Sequence, residues 1–251
     1  MTQPYRGFAH SREEFQDLVE RTLTLARAQG ASDAVAEVSE GAGLSVSARL
    51  GKLENVERNR HKSLGVSLYL GQRRGHASTS DFSDQALRDT VRAAYDIARF
   101  TAEDPCAGLP DEDDLLLEPA PDLDLFHPWA IDAQGAADLA LRCEAAALAT
   151  DRRISNSEGA AVSAQQSHFF AGNTRGFRGG YASSRHSISV APIAGRGAGM
   201  QRDAWYSSER SADDLASPEA IGRYAAERAL SRLKARKVAT AEVPVLFEST
   251  L

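Results

Sequence analysis

The spacing of apolar residues changes along the chain and marks its elements. From residue 11 the period is that of a helix: Phe15, Leu18, Thr22, Leu25 and Ala26 fall on one stripe. Ser11, with Glu14 three residues on, supplies a capping box that satisfies first-turn amides lacking an intrahelical partner, and Gly30 supplies the stop. This predicts a helix over 11–29. The period then shortens to two. Leu44, Val46, Ala48 and Leu50 alternate with Ser45, Ser47 and Arg49, and a polar stretch follows over 53–60. Leu64, Val66, Leu68 and Leu70 alternate again, and 75–80 closes the series, with turns at Gly51-Lys52 and at 72–75. Consecutive alternating runs joined by short turns predict an antiparallel meander with one buried face. Ser83 then caps a second helix carrying Leu87, Val91, Ala94, Tyr95 and Ala98.

Residues 101–125 lose periodicity and concentrate Pro, Asp and Glu, the composition of a connector. An Ala-rich helix is expected over 132–150, with Leu139, Cys143 and Ala146 on one side. Strands are expected over 160–171 and 176–192 around a turn at 172–174, then a loop at 194–199 and a strand over 200–209. Pro218 opens a last helix to about residue 236, with Ile221, Tyr224, Ala225, Ala229 and Leu233 at helical spacing. Val243, Val245 and Phe247 then begin an alternating strand with no partner after it. That pattern is expected of a chain cut inside a domain, and its apolar edge favours self-association. The expected fold class is α+β, with a helix-flanked antiparallel β-meander domain over 1–110 and an acidic, Pro-bearing linker over 111–130. A second α+β, strand-rich domain follows over 131–236, and a further domain starts over 237–251.

Composition narrows the function. The 251 residues carry a net charge of −6, with 42% hydrophobic and 25% charged residues, values ordinary for a soluble globular protein. An acidic balance argues against direct nucleic-acid contact, which needs a basic face. No apolar run approaches membrane-spanning length and the N-terminus has no apolar leader core, so no membrane association is expected. Cys106 and Cys143 match no paired motif, which fits a reducing, cytoplasmic setting, and Cys143 on a helix reads as a small core residue. His10, His61, His76, His127, His168 and His186 are never spaced as a helical metal pair. Gly195, Gly197 and Gly199 lack the Lys-Ser/Thr of a phosphate cradle, G-x-S-x-G is absent, and residues 111–114 lack the spaced donors of a calcium loop. No catalytic residue and no metal ligand is assigned in this chain.

Two segments stand out. GKLENVERNRHK (51–62) packs charge onto one strand. It is either a solvent-facing strand with cross-strand ion pairs or an edge that docks a partner or peptide through Glu57, Arg58, Asn59, Arg60 and His61. FFAGNTRGFRGGYASSRHSISV (169–190) mixes aromatic residues with glycine. It is either a bulged hairpin or a place where a peptide adds as a strand beside Phe177, Arg178, Gly179, Gly180 and Tyr181.

The stretch GLSVSARLGKLENVERNRHKSLGVSLYLGQRRGHASTSDFSDQALRDTVRAAYDIARFTAEDPCAGLPD resembles the first block of the PmbA/TldD family, in its PmbA (TldE) branch. ISNSEGAAVSAQQSHFFAGNTRGFRGGYASSRHSISVAPIA, followed by GMQRDAWYSSER, resembles the central block. The resemblance covers nearly all of 20–250 in order, and 239–251 resembles the opening strand of the next family domain. It implies a cytosolic protein that pairs with a TldD-type subunit in a metalloprotease degrading or trimming unfolded peptides. That family also matures a gyrase-targeting microcin, whence the label modulator of DNA gyrase. The resemblance places the zinc motif, H-E-x-x-x-H, in the TldD-type partner, so no cofactor is expected in this chain. The role it implies here is dimer formation and walling a chamber that admits unfolded peptides. Two alternatives stay open: a peptidase whose own site is completed by residues beyond 251, and a protein-binding module that modulates gyrase.

Overall fold

The computed structural model describes residues 7–117 and 121–247. Its first helix, α1 (Arg12–Gln29), is closed at both ends by the groups the sequence provides. The Ser11 hydroxyl accepts from the Glu14 amide, the Glu14 carboxylate accepts from the Ser11 amide, and Gly30 takes a left-handed φ of 98°. A meander of β1 (Asp33–Arg49), β2 (Lys52–Leu70) and β3 (Arg73–Thr79) follows, then α2 (Asp84–Phe100) capped by Ser83. β1 begins well before Leu44, because Ala34, Ala36 and Val38 already alternate with polar residues, and small alanines make a weak signal. β2 is one strand where two were expected, since its polar half stays in register with β1.

After the connector come α3 (Ala133–Ala149), capped by Asp132, and β4 (Ile154–Asn173). The single return strand expected over 176–192 is two, β5 (Arg178–Gly179) and β6 (Ala182–Ala194). They part at Gly180, which passes so close to β4 that a Cβ there would fall 2.1 Å from the Phe169 carbonyl oxygen. The strand expected over 200–209 is likewise split into β7 (Gln201–Arg202) and β8 (Trp205–Glu209). Between them Asp203 turns away to accept from the Ala204 amide and Arg232. The last helix, α4 (Pro218–Ser231), stops short of 236. The strand expected from Val243 is not formed: among the described residues it has no neighbour to pair with, and Val243, Val245 and Phe247 lie exposed. Residues 248–251 of that expected strand lie outside the described residues.

All pairings are antiparallel and join one sheet in the order β3-β2-β1-β4-β6-β7, with β5 on β4 and β8 on β6. β1 is the shared strand: Val35–Ala48 pair with β4 on one side while its whole length pairs with β2 on the other. Its even-numbered residues face the helices. Ala34, Ala36 and Val38 join Phe15, Leu23, Leu64 and Leu87 in a core under α1 and α2. Leu44, Val46 and Ala48 join Val162, Ile188 and Ile221 in a second core under α3 and α4. Both helix layers sit close: Gly75 of β3 lies against the Ala94 carbonyl of α2, and Gly222 of α4 against the Cys143 carbonyl of α3. The β1–β2 hairpin turns through Leu50 and Gly51, both at positive φ, and the buried Glu144 carboxylate of α3 accepts from both amides, at 3.0 and 2.9 Å. The odd-numbered face, with Ser39, Gly43, Ser45 and Ser47 of β1 and Ser163 and Gln165 of β4, belongs to neither core.

Candidate functional site

Between the two helix pairs the helix-side face of the sheet changes character. Where apolar residues continue the parity on either side, β1 places Glu40 and β4 places its register partner His168. Glu40 accepts from the His10 amide at 2.9 Å, from His168 Nε2 at 2.9 Å, and lies 3.2 Å from His10 Nδ1. His168 is stacked on Phe15, with centroids 4.4 Å apart and rings 5° from parallel, and Phe8 lies 4.3 Å from it on a tilted plane. Burial is the largest single influence on Glu40 and pushes its carboxyl up. The hydrogen bonds from His10 and His168 together outweigh it and hold the group below the usual carboxylate range. Burial pushes His168 down, against the pull of Glu40. This arrangement fastens the segment at Phe8 and His10 onto the sheet. No group of three His, Cys, Asp or Glu side chains among the described residues is disposed to hold a metal.

Beside this cluster lies a cavity of about 530 Å³. Its walls include Leu44 of β1, Arg58 and Arg60 of β2, Gln166 of β4, His186 of β6, and Trp129 of the connector. His186 is 1% exposed; its Nε2 donates to the His127 carbonyl at 2.8 Å, and its Nδ1 has no hydrogen-bond partner among the described residues. Trp129 meets the same ring edge-on at 5.4 Å.

The sequence-derived candidates Glu57, Arg58, Asn59, Arg60 and His61 all lie on the exposed half of β2. β3 pairs only with Leu64–Leu70, so among the described strands the outer edge of β2 before Leu64 is free. Arg58 and Arg60 pair in register with Leu44 and Ala42 and share their helix-side face. Glu57, Asn59 and His61 point to the other face, where the His61 ring lies over Gly41 so closely that a Cβ there would fall 2.4 Å from Cε1. The second group, Phe177–Tyr181, runs along the far flank of β4. The Arg178 guanidinium is ion-paired with Glu20 and donates to the carbonyls of Asn173 and Phe177. Gly180 accepts from Arg12, Gly179 pairs with Ala171, and Tyr181 meets Phe169 edge-on at 4.7 Å. The strands β1 and β4 stand between the two groups, so they do not form one site.

Sequence reasoning missed Glu40, Gln166, Trp129 and the pairing of His168 and His186 with their surroundings. One signal was available: an acidic residue at the apolar parity of β1, visible once the strand is begun at Asp33. Cys143 is buried against α4 and its thiol is pushed up to about 12, chiefly by burial, so it packs as the small core residue expected. Among the described residues no helix is long and apolar enough to cross a membrane.

Comparison with known proteins assigns this architecture. Residues 34–98 match PmbA/TldA metallopeptidase domain 1, and residues 126–233 match the PmbA/TldA metallopeptidase central domain. The chain is 45% identical over 237 residues to Metalloprotease PmbA of Escherichia coli O157:H7 and 43% identical over 235 residues to the Metalloprotease PmbA homolog of Haemophilus influenzae. Each alignment covers 94% of this chain and 52% of the relative, so the chain spans about half the length of the curated relatives it matches. In fold it is similar to a crystal structure from Bacteroides thetaiotaomicron named as a candidate modulator of DNA gyrase, with TM-score 0.81 and 24% identity over 91% of this chain and 52% of that one. It is also similar to TldE from Thermococcus kodakarensis, with TM-score 0.65 and 13% identity over 85% and 47%. With both family domains matched in order and identity held along nearly its whole length, the chain belongs to the PmbA/TldD family.

Proposed function

We propose that this chain is the N-terminal and central part of a non-catalytic subunit in a TldD/PmbA-type zinc metallopeptidase complex, acting on unfolded peptides in the cytoplasm. The observation that carries the reading is the 45% identity to a protein named Metalloprotease PmbA along 94% of the chain. The geometry supports a share in holding substrate and partner. An unfolded chain differs from a folded one in offering unpaired backbone N–H and C=O groups, and the free edge of β2 offers a complementary row. Glu57, Arg58, Asn59, Arg60 and His61 stand along that edge, and Tyr181 is exposed on the far flank of the sheet. We place the metal on the TldD-type partner, where a bound zinc would polarise a scissile carbonyl and activate water.

The test is hydrolysis of an unfolded peptide by the full-length protein, alone and mixed with its TldD-type partner, with and without a zinc chelator. Cleavage by the mixture alone, stopped by chelator, is the expected result. Cleavage by this protein without the partner would overturn the subunit reading in favour of a site of its own. An inert mixture, with the protein retained on immobilised gyrase, would favour the binding-module reading to which the name of the Bacteroides protein points.

A further inference from the structure

The cavity beside Glu40 has a composition that the fold does not require. The protein carries a net charge of −6, yet the cavity lining contains two arginines and a histidine and no acidic residue. Arg58 and Arg60 make no ion pair or hydrogen bond with any described residue, although most arginines of this chain do. Two residues apart on one strand, they stand on the same face about 7 Å from each other. The Gln166 carboxamide is likewise without a hydrogen-bond partner among the described residues, and can both donate and accept. The rest is apolar or aromatic: Leu44 is buried in the floor, and Trp129 is held against the fixed ring of His186.

Each part selects a feature of the ligand. Paired guanidiniums select a planar anion that can accept two parallel hydrogen bonds, which favours a carboxylate. A free carboxamide beside them suits a peptide bond, whose N–H and C=O it matches. An apolar floor with an indole wall suits an aliphatic or aromatic side chain, and the volume accommodates one or two residues. A bare phosphate has no use for Trp129 and Leu44. We infer that this cavity binds the C-terminal residue of a peptide, with its carboxylate on Arg58 and Arg60, its last peptide bond at Gln166 and its side chain against Trp129 and Leu44. The inference rests on the reading of this protein as one that handles unfolded peptides, and it specifies which end of the peptide the helix side of the sheet recognises. The free edge of β2 runs directly past the cavity, so an extended peptide lying along that edge reaches it without a turn.

The experiment is direct binding to the full-length protein, followed by fluorescence anisotropy of an N-terminally labelled unstructured peptide ending in leucine. The peptide is prepared as the free acid and as the C-terminal amide. The free acid is expected to bind at least tenfold more tightly, since the amide forfeits the charge-assisted pair. Arg58→Gln and Arg60→Gln are each expected to reduce that preference by about tenfold. Both side chains are exposed and unpartnered, so the variants fold, and Arg92→Gln on the outer face of α2 serves as a control that leaves the preference intact. N-acetyl-leucine is expected to displace the peptide where inorganic phosphate at the same concentration does not. Equal binding of acid and amide, an unchanged preference in both arginine variants, or displacement by phosphate would each overturn the inference. Because the readout is binding and not cleavage, such a failure leaves the hydrolysis test of the subunit reading standing. Conversely, acid-selective binding with an inert hydrolysis mixture would remove the subunit reading alone.

Discussion

Glu40 occupies a position of β1 whose parity is elsewhere filled by Ala34, Ala36, Val38, Leu44 and Val46. A carboxylate there is tolerable only because His10 and His168 supply donors to it, and this makes the cluster sensitive to protons. Lys62 of β2 is the cross-strand partner of Glu40 and shares its face of the sheet. The folded-state values of Glu40 and His168 are both lowered, so both groups bind fewer protons folded than unfolded once pH drops. For His168 stability is unaffected above its ordinary value of 6.5 and declines as pH falls below it. For Glu40 the decline begins below 4.5 and continues to its lower folded value. The thermal midpoint followed by circular dichroism is therefore expected to fall between pH 7 and 5.5. His168→Gln, which keeps a donor for Glu40 and removes the titration, is expected to flatten that fall. A variant with the parent slope would show that the imidazole is not its source. At this scale the sequence singled out Arg58 and Arg60 by their density of charge, and the structure places both on the exposed half of β2. Their sharing of a cavity with His186, on a strand far away in sequence, follows only from register.

Elements whose signals are local were legible, and those that depend on distant pairing were not. Ser11 with Glu14, Ser83, and Pro218 each mark a helix start that the structure reproduces, because capping is decided within one turn. The first half of β1 was hidden by its alanines, and the polar half of β2 by the lack of any apolar period. Helix packing also carries a requirement visible only in three dimensions. A Cβ at Gly222 would stand 2.3 Å from the Cys143 carbonyl oxygen and 2.9 Å from the Ala147 amide, so α3 and α4 touch backbone to backbone there. In an isolated helix Gly→Ala stabilises by about 1 kcal/mol. Here Gly222→Ala is expected to destabilise by about 1–3 kcal/mol, because the helices must separate. Chemical denaturation reads the sign, and a stabilised variant would refute the close crossing.

The whole molecule is organised by a shared sheet. The two family domains match separate stretches, yet β1 contributes side chains to both cores and β4 does so too, through Val162 and Phe170. Unfolding one core therefore removes strands from the other, which predicts one cooperative transition. The two tryptophans, Trp129 and Trp205, both pack on the core under α3 and α4 and report on that half. Leu23→Ala, in the opposite core, is expected to cost about 2–5 kcal/mol and to move the tryptophan fluorescence midpoint together with the circular dichroism midpoint. A fluorescence transition that stays in place while the other shifts would mean two independent folding units. The pairing of β1 with β4 also has a history in time. β1 is complete at Arg49, but β4 begins only at Ile154, some hundred residues later. At roughly 5–20 residues per second on the ribosome, the nascent meander waits about 5–20 s before that neighbour emerges. During this interval one side of β1 is an open row of amides and carbonyls, available to any extended chain nearby, including a sister copy on the same polysome. The wait for β4 thus leaves β1 exposed to mispairing, and slower translation of the connector would lengthen that exposure.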